Sequence, residues 1–341
     1  MNILIVGPSW VGDMVMAQSL FICVQQQNPE ATIDVLAPPW CVELLQRMPQ
    51  VRHIHLMTLA HGVLGLGRRW ALANTLKRYK YDQAIVLPNS FKSALIPLFA
   101  GIGVRTGWKG EARTLLLNDC RKLDKTRYPL MVQRFVALAY GAHAELPTPL
   151  PWPQLQVDAS QTKALRDRLQ LQDDKPILVL CPGAEFGPAK QWPQEYFAAV
   201  AAHYIHAGFQ IWIMGSTRDT AFADGIKAQL EIQQLAHCTN LCGLTTLGDA
   251  VDLMAAASMV VSNDSGLMHV AAALALRLVV IYGSTSMSFT PPLAARVRTL
   301  SLQLPCSPCY QRNCPLGHLN CLKQMHPTQV INAVTELLKL K

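Results

Sequence analysis

The stretch from Met259 to Ala273, MVVSNDSGLMHVAAA, is the part of the sequence from which the fold can be read most directly. Its three leading apolar residues are typical of the end of a buried parallel strand. A polar turn follows at 262–266, and apolar residues at helical spacing begin at Leu267. A strand, a short turn and a helix leave backbone N–H groups at the positive end of a helix dipole, which favours anion binding. The alternative is that Asp264 or Ser265 only caps the helix.

Length and composition narrow the class of protein. The chain has 341 residues, of which half are hydrophobic and 15% are charged. This length favours two domains, and this composition excludes a disordered chain. The formal net charge of +8 favours an acidic partner such as nucleic acid, an anionic lipid surface or a phosphorylated sugar. A mildly basic protein with no such partner is the alternative, and nucleic acid is the weakest option because no basic stripe is interleaved with aromatic residues.

The sequence also predicts the cellular compartment of the protein. The first ten residues, MNILIVGPSW, are apolar but lack the basic region of a secretory signal. No run approaches the roughly 18 to 20 apolar residues of a membrane-spanning helix. We therefore expect a soluble, cytoplasmic protein that at most touches a membrane surface.

Strand and helix patterns alternate through both halves of the chain. The first half opens with a strand at 2–6, a glycine-bearing loop at 7–13 and a helix from Met14. This loop fits neither the dinucleotide fingerprint nor a phosphate loop with Gly-Lys-Ser/Thr. The alternation predicts α/β units with parallel sheets and helices on both faces. The proline-rich segment 147–153 indicates a boundary, so we place the first domain at 1–160, the second at 175–325 and a final helix at 326–341.

Four glycine-bearing turns follow strands in the second half, after residues 181, 214, 261 and 282. Because parallel strands end at one edge of a sheet, such turns together favour a phosphate-rich ligand. Lys190 is the cation of the first turn and suits a diphosphate, although an unliganded surface lysine fits the pattern as well. The turns after 181 and 214 contribute Gly183, Gly215 and Ser216 to the expected site.

Asp13 is the acidic residue that stands out in the first half, because it follows Gly12 where a loop becomes a helix. A carboxylate there can simply stabilise the helix, or it can accept a proton from an attacking hydroxyl in a transferase. D-x-D and G-x-S-x-G motifs are absent from the sequence. The absence of both motifs favours a group transfer in which Lys190 and backbone N–H groups neutralise a leaving diphosphate.

Four cysteines near the end of the chain are spaced closely enough for zinc, with His318 and His326 nearby. The spacing is not that of a standard zinc finger or ribbon. A reduced or oxidation-prone loop is therefore the alternative to bound metal. The four residues are Cys306, Cys309, Cys314 and Cys321.

Several long motifs together resemble the heptosyltransferases of glycosyltransferase family 9. They are GPSWVGDMVMAQSL (7–20), LPNSFKSAL (87–95), RTGWKGE (105–111), CPGAEFGPAKQWP (181–193) and VSNDSGLMHVAAAL (261–274). The resemblance implies a GT-B fold, with two Rossmann-like domains facing across a cleft. It implies transfer of heptose, with inversion, from ADP-heptose to the first heptose of the lipopolysaccharide inner core, without a required cofactor. The implied acceptor is heptosyl-Kdo2-lipid A, which allows peripheral contact with the inner membrane.

The same resemblance implies roles for individual residues. Asp13 would be the general base, Lys190 would hold the donor phosphates, and the final helix would cross back to the first domain. The further donor-site residues are Asp264, Ser265, Gly266, Leu267 and His269. The implied acceptor-site residues are Ser9, Trp10, Lys92, Arg105, Trp108 and Arg113. The alternatives are transfer to another core position (first or third) and a non-catalytic binder of nucleotide or polyanion.

Overall fold

The computed structural model describes residues 1–59, 62–172 and 174–339. The chain divides into two units between Pro153 and Gln154. This division lies at the end of the proline-rich segment that predicted a boundary. Each unit is built around its own parallel sheet.

The first unit alternates strands and helices as its sequence predicts. The strands are β1 (Asn2–Val6), β2 (Thr32–Ala37), β3 (Val51–Leu56), β4 (Gln83–Val86), β5 (Val104–Trp108) and β6 (Asp119–Arg121). The helices are α1 (Val11–Gln27), α2 (Val42–Gln46), α3 (Leu66–Leu76), α4 (Phe91–Phe99) and α5 (Met131–Val136). The parallel sheet has the order β3-β2-β1-β4-β5-β6.

The second unit repeats this architecture. Its strands are β7 (Ile177–Cys181), β8 (Gln210–Ile213), β9 (Cys238–Asn240), β10 (Met259–Asn263), β11 (Leu278–Ile281) and β12 (Val297–Leu300). Its helices are α6 (Ala159–Leu169), α7 (Gln194–His206), α8 (Thr220–Lys227), α9 (Ile232–Leu235), α10 (Leu247–Met254), α11 (Gly266–Ala273), α12 (Asn320–Lys323) and α13 (Pro327–Lys339). The parallel sheet has the order β12-β11-β10-β7-β8-β9.

In each sheet, the second and third strands extend to one side of the first strand, and the last three extend to its other side. This is the doubly wound α/β arrangement. The predicted fold class is confirmed in both units. The central strands β7, β10 and β11 are buried throughout, because helices cover both faces of the sheet. In the first unit the turn after β1 brings Gly7 against α1. A Cβ at Gly7 would lie 2.6 Å from Cε of Met14.

The final helix packs on the core of the second unit. The buried residues of α13 are Val330, Ala333, Val334 and Leu337, and they belong to the hydrophobic core of the second unit. Tyr204 Oη of α7 also donates to the carbonyl oxygen of Ile331 at 3.0 Å. The apolar stripe of α13 at i, i+3, i+4 and i+7 faces α7 and the second sheet, and packing of this helix on the first domain stays a prediction. Residues 340 and 341 of the predicted helix lie outside the described residues.

Across the described ranges, none of the helices combines the length and the apolar character needed to cross a bilayer.

Candidate functional site

Three turns of the second unit start side by side. In the sheet register Cys181 at the end of β7 pairs with Ser262 of β10, and Asn263 pairs with Ile281 at the end of β11. The turns that follow these strands therefore lie at one edge of the sheet. They carry Lys190, the start of α11, and the segment 283–285 respectively.

Asn263 fixes the loop that carries Lys190. Its Nδ2 donates to the carbonyl oxygen of Pro182 at 2.7 Å, and its Oδ1 accepts from the backbone N–H of Trp192 at 3.3 Å. The Trp192 indole is fully buried and donates to the carbonyl oxygen of Met325 at 2.8 Å. Both ends of the loop are therefore attached to the core, so Lys190 is positioned before any ligand arrives.

Lys190 forms a largely buried ion pair with Asp264. The distance from Lys190 Nζ to Asp264 Oδ2 is 2.6 Å, and the side chains are 15% and 5% exposed. The same carboxylate oxygen accepts a hydrogen bond from Thr285 Oγ1 at 2.5 Å. Asp264 therefore orients Lys190 and joins the first turn to the third. The sequence motif identified Asp264, and the turn after residue 282 was expected at the site, but Thr285 within it was not singled out.

The start of α11 supplies donors beside this pair. Ser265 is the N-cap, and its Oγ accepts from the backbone N–H of Met268 at 3.4 Å. The first N–H groups of an α-helix have no partner within the helix, and they lie at the positive end of its dipole. Ser265, Gly266 and Leu267 are half-buried, so this end of the helix is open to a small anion.

His269 lies one turn into α11 and is buried. Its pKa is lowered to about 4, mainly because burial disfavours the charged imidazolium; the carboxylate of Asp264 opposes this shift, and the nearby Lys190 ammonium adds to it. The imidazole is therefore neutral at neutral pH and contributes hydrogen bonding or packing rather than positive charge.

The two predicted glycines Gly183 and Gly215 flank a carboxylate that was not among the residues expected from the sequence. A Cβ at either position would lie 2.8 Å from Asp219 Oδ2. That oxygen also accepts hydrogen bonds from the backbone N–H and from Oγ of Ser216, both at 2.8 Å. The signal was available in the sequence, because Ser216 and Asp219 have the spacing of a capping box.

In the first unit Asp13 and Lys92 occupy comparable positions. Asp13 lies in the first turn of α1, which follows β1, and Lys92 is the second residue of α4, which follows β4. Because β1 and β4 are paired, the two helices start at neighbouring points of one sheet edge. Ser9 and Trp10 precede α1 and are exposed.

Two of the predicted acceptor residues are structural instead. The Arg113 side chain is fully buried and donates to the carbonyl oxygen of Trp108 at 3.0 Å, to Ser93 Oγ at 3.2 Å and to Asn89 Oδ1 at 3.1 Å. The Trp108 ring is also buried, and its Nε1 donates to the carbonyl oxygen of Arg134 at 2.9 Å. These two side chains join the loops after β4 and β5 from within, so they are not available to an acceptor.

Arg105 is corrected as well, because it lies at the amino end of β5. Its guanidinium donates to the carbonyl oxygens of Leu116 at 2.7 Å and Ile102 at 2.6 Å. Ligand-binding edges of parallel sheets are at the carboxyl ends of the strands. The structure therefore does not bring Arg105 together with Asp13 and Lys92.

The four clustered cysteines line one small cavity of about 20 Å³, together with Ala189, Ser284 and His318. Backbone N–H groups directed at the sulfur, first of all that of Leu319, lower the pKa of Cys314. In the portion of the chain that the structure describes, however, no three His, Cys, Asp or Glu side chains are arranged to hold a metal ion. The geometry gives the zinc hypothesis no support. The four cysteines that line the cavity are Cys306, Cys309, Cys314 and Cys321.

The chain is similar to known proteins in sequence and in fold. A model of glycosyltransferase family 9 (heptosyltransferase) matches residues 69–320. The chain is 47% identical to lipopolysaccharide heptosyltransferase 2 of Escherichia coli K12 over 99% of both chains, and 49% identical to lipooligosaccharide heptosyltransferase 2 of Haemophilus ducreyi over 89% of both. A solved structure of E. coli ADP-heptose LPS heptosyltransferase II superimposes with a TM-score of 0.91 at 46% identity, covering 99% of this chain and 98% of that one.

Proposed function

This chain belongs to glycosyltransferase family 9, and we propose that it transfers L-glycero-D-manno-heptose from ADP-heptose to the first heptose of the lipopolysaccharide inner core. Two Rossmann-like units, as in the GT-B fold, support this activity. So does the full-length likeness to proteins named heptosyltransferase 2.

The observation that carries the donor half of the proposal is the Lys190–Asp264 pair beside the start of α11. In the proposed reaction the bond between the anomeric carbon and the phosphate oxygen breaks, and negative charge develops on the leaving ADP. A fixed ammonium and helix N–H groups stabilise such charge without reorganising, and stabilisation of this kind supplies much of the rate enhancement in many enzymes. Lys190 and the N–H groups after Ser265 have this role, and His269 supports the helix as a neutral residue.

Asp13 is the proposed general base. Its carboxylate takes the proton of the acceptor hydroxyl while the oxygen forms a bond to the anomeric carbon on the face opposite the departing ADP. Displacement from the opposite face inverts the anomeric configuration. A positioned base of this kind contributes typically about 10²- to 10⁴-fold to the rate.

The acceptor residues that remain in the proposal are Ser9, Trp10 and Lys92. Lys92 offers a cation to the acidic acceptor, and the exposed Trp10 offers an apolar surface beside it. The acceptor is heptosyl-Kdo2-lipid A, so we also propose that the protein works in the cytoplasm at the inner-membrane surface. The net charge of +8 favours that contact with anionic lipid.

The proposal is tested by ADP release from ADP-heptose. We expect release that depends on an acceptor carrying the first heptose. A protein that binds ADP-heptose but releases no ADP with any core acceptor would instead be the non-catalytic binder. Release with an acceptor of the first or third transfer step would assign the enzyme to that step.

A further inference from the structure

The segment of residues 306–321, which we call the cysteine segment, has no part in the reaction proposed above. It nevertheless contacts two turns of the donor site. Ser307 Oγ donates to the carbonyl oxygen of Gly283 at 2.6 Å, and the Tyr310 N–H donates to that of Ser284 at 2.7 Å. These contacts place the cysteine segment against the turn that follows β11.

The cysteine segment also lies against the turn that carries Lys190. The Ala189 N–H donates to the carbonyl oxygen of Arg312 at 3.0 Å. Gly187 has φ +152°, and a Cβ there would lie 2.5 Å from the same carbonyl oxygen. The two backbones are thus in direct contact, and glycine is required at 187 for that approach. The position of the Arg312 backbone relative to Lys190 is fixed by these contacts.

The side chain of Arg312 shares an aromatic ring with Lys190. Arg312 Cζ lies 5.6 Å from the centroid of the Phe186 ring, and Lys190 Nζ lies 5.1 Å from the same centroid. Phe186 is half-buried and Arg312 is exposed. Lys190 and Arg312 therefore both lie close to the Phe186 ring, on the turn that follows β7.

The charges of these two cations are balanced differently. Lys190 is paired with Asp264 at 2.6 Å, so Asp264 offsets part of the positive charge that Lys190 brings to the leaving group. Arg312 forms no ion pair with any acidic side chain in the described ranges. A diphosphate carries negative charge on both phosphates, and a guanidinium can donate two parallel hydrogen bonds to such a group.

We propose that Arg312 is a phosphate-binding residue of the donor site, supplying the uncompensated positive charge that the Lys190–Asp264 pair lacks. This inference rests on the proposed function, because it takes the diphosphate of ADP-heptose as the ligand. It also gives the cysteine segment a role: the segment holds Arg312 beside the donor loop.

The test is the affinity of the purified full chain for ADP and for AMP, measured by titration calorimetry on wild type, Arg312→Gln and Arg312→Lys. The matched control is Arg298→Gln, which changes an exposed arginine of the same unit that is paired with Glu336. We expect Arg312→Gln to weaken ADP binding by roughly 10- to 100-fold, as for the loss of a hydrogen bond to a charged group. The loss for AMP, which has one phosphate fewer, should be smaller, and Arg312→Lys should recover part of the ADP affinity.

Other outcomes would overturn the assignment. If Arg312→Gln binds ADP like wild type, the guanidinium only covers the Phe186 ring. If the variant loses ADP and AMP affinity equally and unfolds at a lower temperature than Arg298→Gln, Arg312 is structural. A wild-type chain that binds no ADP would refute the proposed function itself, whereas normal wild-type binding with an unaffected variant refutes this inference alone.

Discussion

The ion pair between Lys190 and Asp264 allows stability and catalysis to be separated by a double-mutant cycle. Both side chains are largely buried, and Asp264 keeps only the Thr285 hydroxyl as a donor to the same oxygen if the lysine is removed. Breaking a fully buried pair by removing one partner costs about 3–5 kcal/mol. Because Lys190 is 15% exposed and Thr285 remains, we expect Lys190→Ala to lower the free energy of unfolding by about 3 kcal/mol.

The partner substitution is expected to cost less. Asp264→Asn keeps the shape and one acceptor oxygen, and the partly exposed ammonium can still reach water, so we expect a loss of about 1–3 kcal/mol. The double variant has no unpaired charge left in the site. Its loss should therefore fall short of the sum of the two single losses by about 0.5–3 kcal/mol, the usual scale of coupling between contacting groups.

Catalysis should behave differently in the same cycle. Removing one electrostatic contact to the leaving group lowers kcat by about 10²- to 10³-fold, and restoring stability cannot replace that charge. Urea unfolding and initial rates with ADP-heptose on all four proteins test both statements. Strictly additive unfolding energies would refute the coupling, and recovery of kcat in the double variant would refute the role of Lys190 in leaving-group stabilisation.

Three further predictions use simpler changes. Asp13→Asn should lower kcat by roughly 10²- to 10⁴-fold while the Kd for ADP stays unchanged; near-normal turnover would exclude Asp13 as the base. Arg113→Met should destabilise the first unit by about 2–4 kcal/mol, because buried carbonyl oxygens lose their donors, and urea unfolding with no measurable loss would contradict the buried network. His269 has a folded pKa of about 4, below its usual 6.5, so its contribution to stability is present above pH 6.5 and is lost as the pH falls toward 4. Wild type should therefore lose about 2 kcal/mol more than His269→Gln between pH 7 and pH 5 in urea unfolding; equal losses would count against a buried neutral imidazole.

Much of the fold could be predicted from the sequence because the central strands are continuous apolar runs bounded by glycine or proline turns. The elements that were missed are short and peripheral. β6 and β12 are edge strands of three and four residues, and neither is fully buried, so they lack the apolar pattern that predicts a strand. Their positions depend on pairing with β5 and β11, which local sequence does not encode.

The site could be predicted less completely, for a related reason. The turn at 262–266 identified the helix N-terminus, because strand, turn and helix are adjacent in sequence. The direction in which a long side chain points depends on tertiary contacts, and a cluster of basic residues in the sequence does not show it. Arg113 and Arg105 were expected to face an acceptor, but both donate to carbonyl oxygens of their own unit. Thr285 lies in the expected turn after residue 282 but was not singled out, and Arg312 reaches the Lys190 turn from a distant part of the chain with no local signal.

In the proposed function this chain adds one heptose to an acceptor that already carries the first. The most direct measurement is mass spectrometry of a panel of defined core acceptors after incubation with ADP-heptose and the purified protein. We expect a mass gain of a single heptose on the acceptor that ends in the first heptose, and none on the acceptor that lacks it. A gain only on the heptose-free acceptor, or no gain on any acceptor, would contradict it.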